Sequence, residues 1–206
     1  MSTVFIISAP SGSGKSTLVK RLMDAVPELM FSISYTTRKP RGGEQNGQNY
    51  RFVEREDFEA MAARDEFLEH AQVFGNYYGT HRSSLEEAKK AGKDLVLDID
   101  VQGARQLKER IPGAVTIFVL APSREILEKR LRSRGEDREE VIQRRLQDAA
   151  EEIKNYDQYD YVLINENLEK SASLLCSIVL GERARRHRIE DRIRPILDTF
   201  DEDEEV

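Results

Sequence analysis

Near the N-terminus, Ala9-Pro10-Ser11-Gly12-Ser13-Gly14-Lys15-Ser16-Thr17 sets glycines, small hydroxyl residues and one lysine in an order suited to gripping phosphate. A glycine-rich turn can point its backbone N–H groups inward at phosphate oxygens, and a helix starting directly after it adds the positive end of its dipole. Lys15 can then reach the terminal phosphates, and the Ser16 hydroxyl can ligate Mg²⁺. The pattern is Gly-x-x-x-x-Gly-Lys-Ser/Thr with Ala9 in place of the first glycine. That departure removes little backbone freedom, because Gly12 and Gly14 remain for the tight turns.

A second group is Leu97-Asp98-Ile99-Asp100, where an apolar run ends in two acids. At the carboxyl edge of a sheet, such acids suit a role in supporting Mg²⁺ or its water shell. Acids at strand ends also cap helices, and the residue order alone does not choose between Asp98 and Asp100. A third group is Ser34-Tyr35-Thr36-Thr37-Arg38-Lys39-Pro40-Arg41, with Asn49-Tyr50, Glu69 and Asn76-Tyr77-Tyr78-Gly79-Thr80. Two arginines three residues apart can fork onto one phosphate, and phenols add neutral donors. Beside the glycine turn, this cluster reads as a second phosphate site.

These groups need elements to hold them. Short β-branched runs alternate with amphipathic stretches of helix length, and the runs are apolar almost continuously, as strands covered on both faces would be. The pattern predicts an α/β fold with a mostly parallel central sheet flanked by helices. Strands are expected at residues 3–8, 93–99, 114–120 and 160–164. The first helix should turn Leu18, Val19, Leu22, Met23 and Val26 inward and stop at Pro27. Residues about 34–82 break the alternation and read as an inserted subdomain, leaving a core of 2–33 and 83–186. A capping box, Ser83 with Glu86 or Ser84 with Glu87, should open the next helix, which should end at Gly92. Between Arg-rich helical stretches, Ser133 to Arg138 carries Gly135 among charges, so about 124–154 reads as a short lid. Residues 168–192 read as one helix with Leu174, Leu175, Ile178 and Val179 inward. The basic cluster Arg183, Arg185, Arg186, His187, Arg188 reads as a solvated helix end, in preference to an oligomer contact, and leaves homo-oligomerisation open. The remainder, 187–206, is a charged extension.

Composition narrows the class. The chain has 206 residues, 39% hydrophobic and 34% charged, which fits one globular domain with insertions rather than a disordered or fibrous chain. The net charge of -6 sits in the tail: Asp198, Asp201, Glu202, Asp203, Glu204 and Glu205 are six acids without a base, and residues 1–197 carry 32 of each sign. Nucleic-acid binding is therefore disfavoured. One cysteine excludes an intramolecular disulfide, and Cys176 reads as a small apolar residue in a helix. No apolar run reaches the roughly 18 residues of a membrane span, and the N-terminus lacks a signal-peptide pattern. A soluble, cytoplasmic protein with no membrane contact is expected.

Taken together, the glycine turn, Ser-x-Thr-Thr-Arg-x-Pro-Arg, Asn-Tyr-Tyr-Gly and Leu-Asp-Ile-Asp resemble guanylate kinase, a P-loop nucleoside monophosphate kinase, over residues 2–186. The resemblance implies transfer of the ATP γ-phosphoryl group to GMP, and to dGMP, with Mg²⁺. It implies that Ala9 to Thr17 and Asn165 bind ATP, Asn165 facing adenine. Arg38, Arg41, Tyr50 and Tyr78 would hold the GMP phosphate, Ser34, Glu69 and Thr80 would face guanine, and Asp98 or Asp100 would lie near both nucleotides. Lys15, Arg130, Arg134 and Arg145 would act on the transferring group. The chemistry agrees: ionised Glu69 can accept from guanine N1–H and N2–H, and Thr80 can donate to O6, whereas adenine reverses both preferences.

Overall fold

The computed structural model describes residues 2–73, 75–133 and 138–201. In chain order, β1 (Val4–Ser8) leads through the glycine turn into α1 (Lys15–Ala25). The chain reverses at Glu28, whose φ is 58°, into β2 (Leu29–Phe31). Next come β3 (Tyr35–Thr36), β4 (Arg51–Phe52), α2 (Arg55–Ala63), β5 (Phe67–Val73), β6 (Asn76–His81), α3 (Arg82–Lys90), β7 (Asp94–Asp98) and α4 (Val101–Arg110). The chain continues with β8 (Val115–Leu120), α5 (Arg124–Ser133), α6 (Glu139–Glu152), a 3-10 turn at Ile153–Gln158, β9 (Tyr161–Ile164), α7 (Leu168–Arg183) and α8 (Arg186–Asp201).

Five strands form a wholly parallel sheet in the order β2-β7-β1-β8-β9. Parallel strands need coverage on both faces, and each face has its own core. Phe5, Ile7, Ile117 and Val119 pack with Leu18 and Leu22 of α1 and Leu175 and Val179 of α7. Ile6, Leu95 and Leu97 pack with Ala88 of α3 and Ala104 and Leu107 of α4. Burial of each large side chain stabilises by about 1.5–3 kcal/mol. The sheet is thus the stiff base, and the glycine turn sits at its carboxyl edge between β1 and α1.

The second sheet, ordered β4-β3-β6-β5, has antiparallel β3/β6 and β5/β6 pairs and a parallel β3/β4 pair. Its core is aromatic: Phe58 of α2 stacks on Phe67 at 4.4 Å and on Tyr77 at 5.3 Å between ring centroids. A Cβ on Gly79 would lie 2.9 Å from the Phe67 ring, so only glycine fits there. α4 joins the two sheets: Gln106 Nε2 donates to His70 O at 2.9 Å and Arg110 Nη1 to Leu68 O at 2.7 Å.

Several local expectations are corrected. The N-cap of α3 is His81, whose Nδ1 accepts from Ser83 N at 3.1 Å; β6 runs on to His81, so Ser83 and Ser84 fall inside the first turn and neither forms a capping box. The stretch 168–192 is two helices, broken between Arg183 and Arg186, and Leu174 is exposed. Of the basic cluster, Arg185, Arg186 and His187 are exposed as a solvated end would be, while Arg183 and Arg188 tether it to the body. Arg183 pairs with Asp94 at 2.7 Å and also donates to Pro27 O and Glu28 O. Arg188 reaches Thr3, Gly113 O and the buried Glu182, to which Tyr161 and Arg185 also bond. β2 went unread because three residues carry no periodicity. Beyond the tether, α8 exposes Ile196, Leu197 and Phe200. Among the described residues, no helix is long and apolar enough to cross a membrane.

Candidate active site

Gly12 and Gly14 both have φ of 92°, a left-handed backbone that L side chains avoid. Crowding restricts them further: a Cβ on Gly14 would lie 2.5 Å from Asn165 Nδ2, and one on Gly12 would lie 3.0 Å from Leu131 Cδ2. The turn is closed by Ser13 N to Pro10 O at 3.1 Å. Gly14 caps α1 without a side chain, so the first N–H groups of the helix stay available to an anion. Underneath, Asn165 Nδ2 donates to Ser13 O at 2.9 Å, and Arg130 spans Ser13 O at 3.2 Å and Asn165 O at 2.8 Å. The loop is therefore braced from the end of β9 and from α5.

Lys15 Nζ lies 2.6 Å from Asp98 Oδ1 and 2.8 Å from Ile99 O, while Ser16 Oγ donates to Asp98 Oδ2 at 3.2 Å. Asp98 is placed by the register of β7 against β1, which sets it opposite Ile7. Asp100 has a separate task, capping α4 by accepting from Gly103 N at 2.9 Å. Asp98 is the acid paired with Lys15 and Ser16, while both acids line the cleft.

The opposite wall comes from the second sheet. A cleft of about 290 Å³ is lined by the turn from Ala9 to Thr17 and by Ser34, Arg41, Tyr50, Glu69, Tyr78, Asp98, Asp100 and Arg145. Glu69 is only 3% exposed, and its Oε1 accepts from Thr80 Oγ1 at 2.6 Å. Burial pushes its carboxyl up to about 7. Burial also raises the Tyr50 phenol to about 12, with the charge of Asp98 adding to it. Arg38 stands one layer behind: Nη1 and Nη2 each reach a Glu44 oxygen at 2.9 Å, and Nη1 also donates to Lys39 O at 2.8 Å. Its guanidinium lies 5.2 Å from the Tyr50 ring centroid. The same Glu44 accepts from Arg41 N at 2.7 Å, and the Arg38 bond holds its carboxyl below the ordinary range.

A family model described as guanylate kinase matches residues 1–181. The chain is 58% identical over 201 residues to a guanylate kinase of Koribacter versatilis, covering 95% of this chain and 86% of the relative. It is 46% identical over 192 residues to that of Escherichia coli K12, covering 92% and 93%.

The chain belongs to the guanylate kinase family.

A crystal structure of guanylate kinase from Anaplasma phagocytophilum superposes with a TM-score of 0.74 at 34% identity, covering 93% of this chain and 95% of that one. A Thermus thermophilus protein, TT1252, at 18% identity and a TM-score of 0.51, shares the fold alone. The family-model match spans both walls of the cleft and stops before α8.

Four candidates have partners within the protein. Thr80 is fully buried and its hydroxyl donates to Glu69, holding the carboxylate. Asn165 is buried beneath the glycine turn, its Nδ2 donating to Ser13 O and its Oδ1 unpaired. Arg130 is committed to two backbone carbonyls and braces the turn. Arg38 is paired with Glu44, bonds Tyr78 and lies over the Tyr50 ring, while Arg41 lines the cleft. Arg134 lies outside the described residues. Sequence reading missed Glu44, six residues from its partner across a loop, and Glu152, which lines the cleft from the end of α6. Burial, then the charge of Asp100, raises Glu152 to about 7. On a helix of regular amphipathic pattern it reads as one more surface acid.

Proposed function

We propose that the chain transfers the γ-phosphoryl group of ATP to GMP, giving ADP and GDP, with dGMP as a second acceptor. The observation that carries this reading is the cleft itself, with a braced phosphate turn on one wall and a buried carboxylate, Glu69, on the other. Guanine presents N1–H and N2–H side by side. Thr80 occupies one lone pair of Glu69, and the remaining ones accept from the base. An acceptor such as adenine N1 would leave the carboxylate unpaired, at a cost of about 1–3 kcal/mol or more for a charged group. Burial raises the Glu69 carboxyl to about 7, and guanine N–H donors favour the ionised form.

In this reading an oxygen of the GMP phosphate attacks Pγ, the bond from Pγ to the bridging oxygen breaks, and its electron pair leaves with ADP. The phosphate has its second pKa at about 6, so the nucleophile is anionic at neutral pH and needs no base. What the residues supply is alignment and charge. The first N–H groups of α1 and Lys15 take the donor phosphates. Arg41, Tyr50 and Tyr78 take the acceptor phosphate, Arg38 supporting them from behind. Arg145, on α6, and Arg134 would neutralise charge on the transferring group, and the 124–154 lid would close over the bound nucleotides and exclude water. Ser16 and Asp98 offer a hydroxyl and a carboxylate, hard oxygen donors that suit Mg²⁺. Among the described residues no three acids, histidines or cysteines gather to hold a metal. This fits an ion that takes its other oxygens from phosphates and water. Bound there, Mg²⁺ would neutralise charge on the ATP phosphates. The enzyme is proposed to act in the cytoplasm.

ADP formation with GMP, dGMP, AMP, CMP, UMP and IMP tests the proposal. GMP should give the highest kcat/KM; ATP binding without ADP formation on GMP would sink it.

A further inference from the structure

Gly103 sits in the first turn of α4, where its amide caps onto Asp100 and its Cα faces the second sheet. Its φ is not among the positive ones, so the backbone makes no demand for glycine. Glycine also weakens a helix relative to alanine. The reason for it is the neighbouring carboxylate: a Cβ at this position would fall 2.5 Å from Glu69 Oε2, 3.0 Å from its Cδ and 3.3 Å from Asp100 Oδ1. Ordinary contact begins at 3.4 Å, so the carboxylate tip would have to move by about 1 Å.

The direction of that movement is constrained. Oε1 is held by Thr80, the side chain is buried, and β5 and β6 close the far side. The open side is the cleft that Glu69 lines. The displaced tip would therefore enter the space where a base is to be read, while the fold gives way only at the end of a flexible side chain.

We infer that Gly103 is a specificity-determining position, a gap in α4 that sets the depth at which Glu69 meets the base. This rests on the proposed reading of the cleft as a GMP site and deepens it, because it makes base choice depend on a residue of the core as well as the insertion. Gly103 is a positioning residue: it acts through Glu69 and need not touch a nucleotide.

The test is Gly103→Ala, alone and combined with Glu69→Asp. Wild-type ADP formation on GMP first establishes the site reading independently of either variant. Gly103→Ala should then lower kcat/KM for GMP by about 10–100-fold, mostly through KM, and narrow the GMP/AMP preference. The KM for ATP should stay within about twofold and the melting temperature should hold or rise, since alanine is the better helix former. In the Glu69→Asp background the carboxylate is one methylene shorter and the clash disappears, so adding Gly103→Ala should change GMP kinetics by less than about threefold. Wild-type GMP kinetics for Gly103→Ala, or an equal loss in both backgrounds, would overturn the inference. Should Gly103→Ala fail to fold, recovery of folding in the double variant supports the contact with Glu69; failure of both shows that glycine answers a backbone need and overturns it.

Discussion

The two walls of the cleft are made of different material. On the donor wall, the groups meant for phosphate are mostly backbone, fixed by a turn whose glycines have no freedom to spare and whose underside is bolted to Asn165 and Arg130. On the acceptor wall they are side chains, two of them held by another side chain: Glu69 by Thr80, Arg38 by Glu44. A backbone cradle on a buried parallel sheet can hold any nucleoside triphosphate, because every phosphate chain looks alike. A wall built of paired side chains can tell one base from another, because each pair fixes one donor or acceptor. In the proposed reaction the difference would separate where transfer is driven from where the substrate is chosen.

Lys15→Ala attacks the donor wall and should have the largest effect, a loss in kcat of at least about 10³-fold, read as steady-state ADP formation. Glu69→Gln attacks the acceptor wall and should lower kcat/KM for GMP by about 10²-fold. It should affect AMP less, so the GMP/AMP ratio narrows; an unchanged ratio would take Glu69 out of base reading. Glu44→Gln removes the charge from the pair that aims Arg38 and ties the Arg41 amide. It should raise the KM for GMP roughly tenfold with kcat within about twofold. A fall in kcat at unchanged KM would place Glu44 on the wrong wall.

A pH profile sharpens the division. Burial raises the Glu69 carboxyl to about 7, so it takes up a proton as pH falls through that value and then turns an O–H toward the base N–H groups. The profile of kcat/KM for GMP should bend downward near pH 7, above the bend at about 6 due to the phosphate itself. Glu69→Gln should erase the upper bend. Glu152 titrates in the same region, and Glu152→Gln should leave the bend in place. The smallest effect is expected from deleting 198–206, which lies beyond the family match and off both walls. Activity on GMP should stay within about twofold.

The donor wall was legible in the sequence because its residues are consecutive and their order carries the chemistry: strand, glycine turn, Lys15, helix. The parallel sheet was legible for a related reason, since strands buried on both faces are apolar without a break. The acceptor wall was legible as a set of residues but not as an arrangement. Nothing in the spacing from Arg38 to Glu44, or from Glu69 to Thr80, says that these side chains meet; the antiparallel pairing of β5 with β6 does. Thr80, Asn165 and Arg130 show the same limit, since a polar residue near a ligand site can serve the ligand or another residue. The tether at Arg183 and Arg188 was missed because its acceptors, Asp94 and Gly113 O, come from distant parts of the chain.

The separation of the two walls can be measured directly by calorimetric titration of GMP into Lys15→Ala. A protein that has lost turnover while binding GMP within about twofold of wild-type affinity is the predicted result. Loss of GMP affinity in that variant would show that the walls are not independent and would contradict the account.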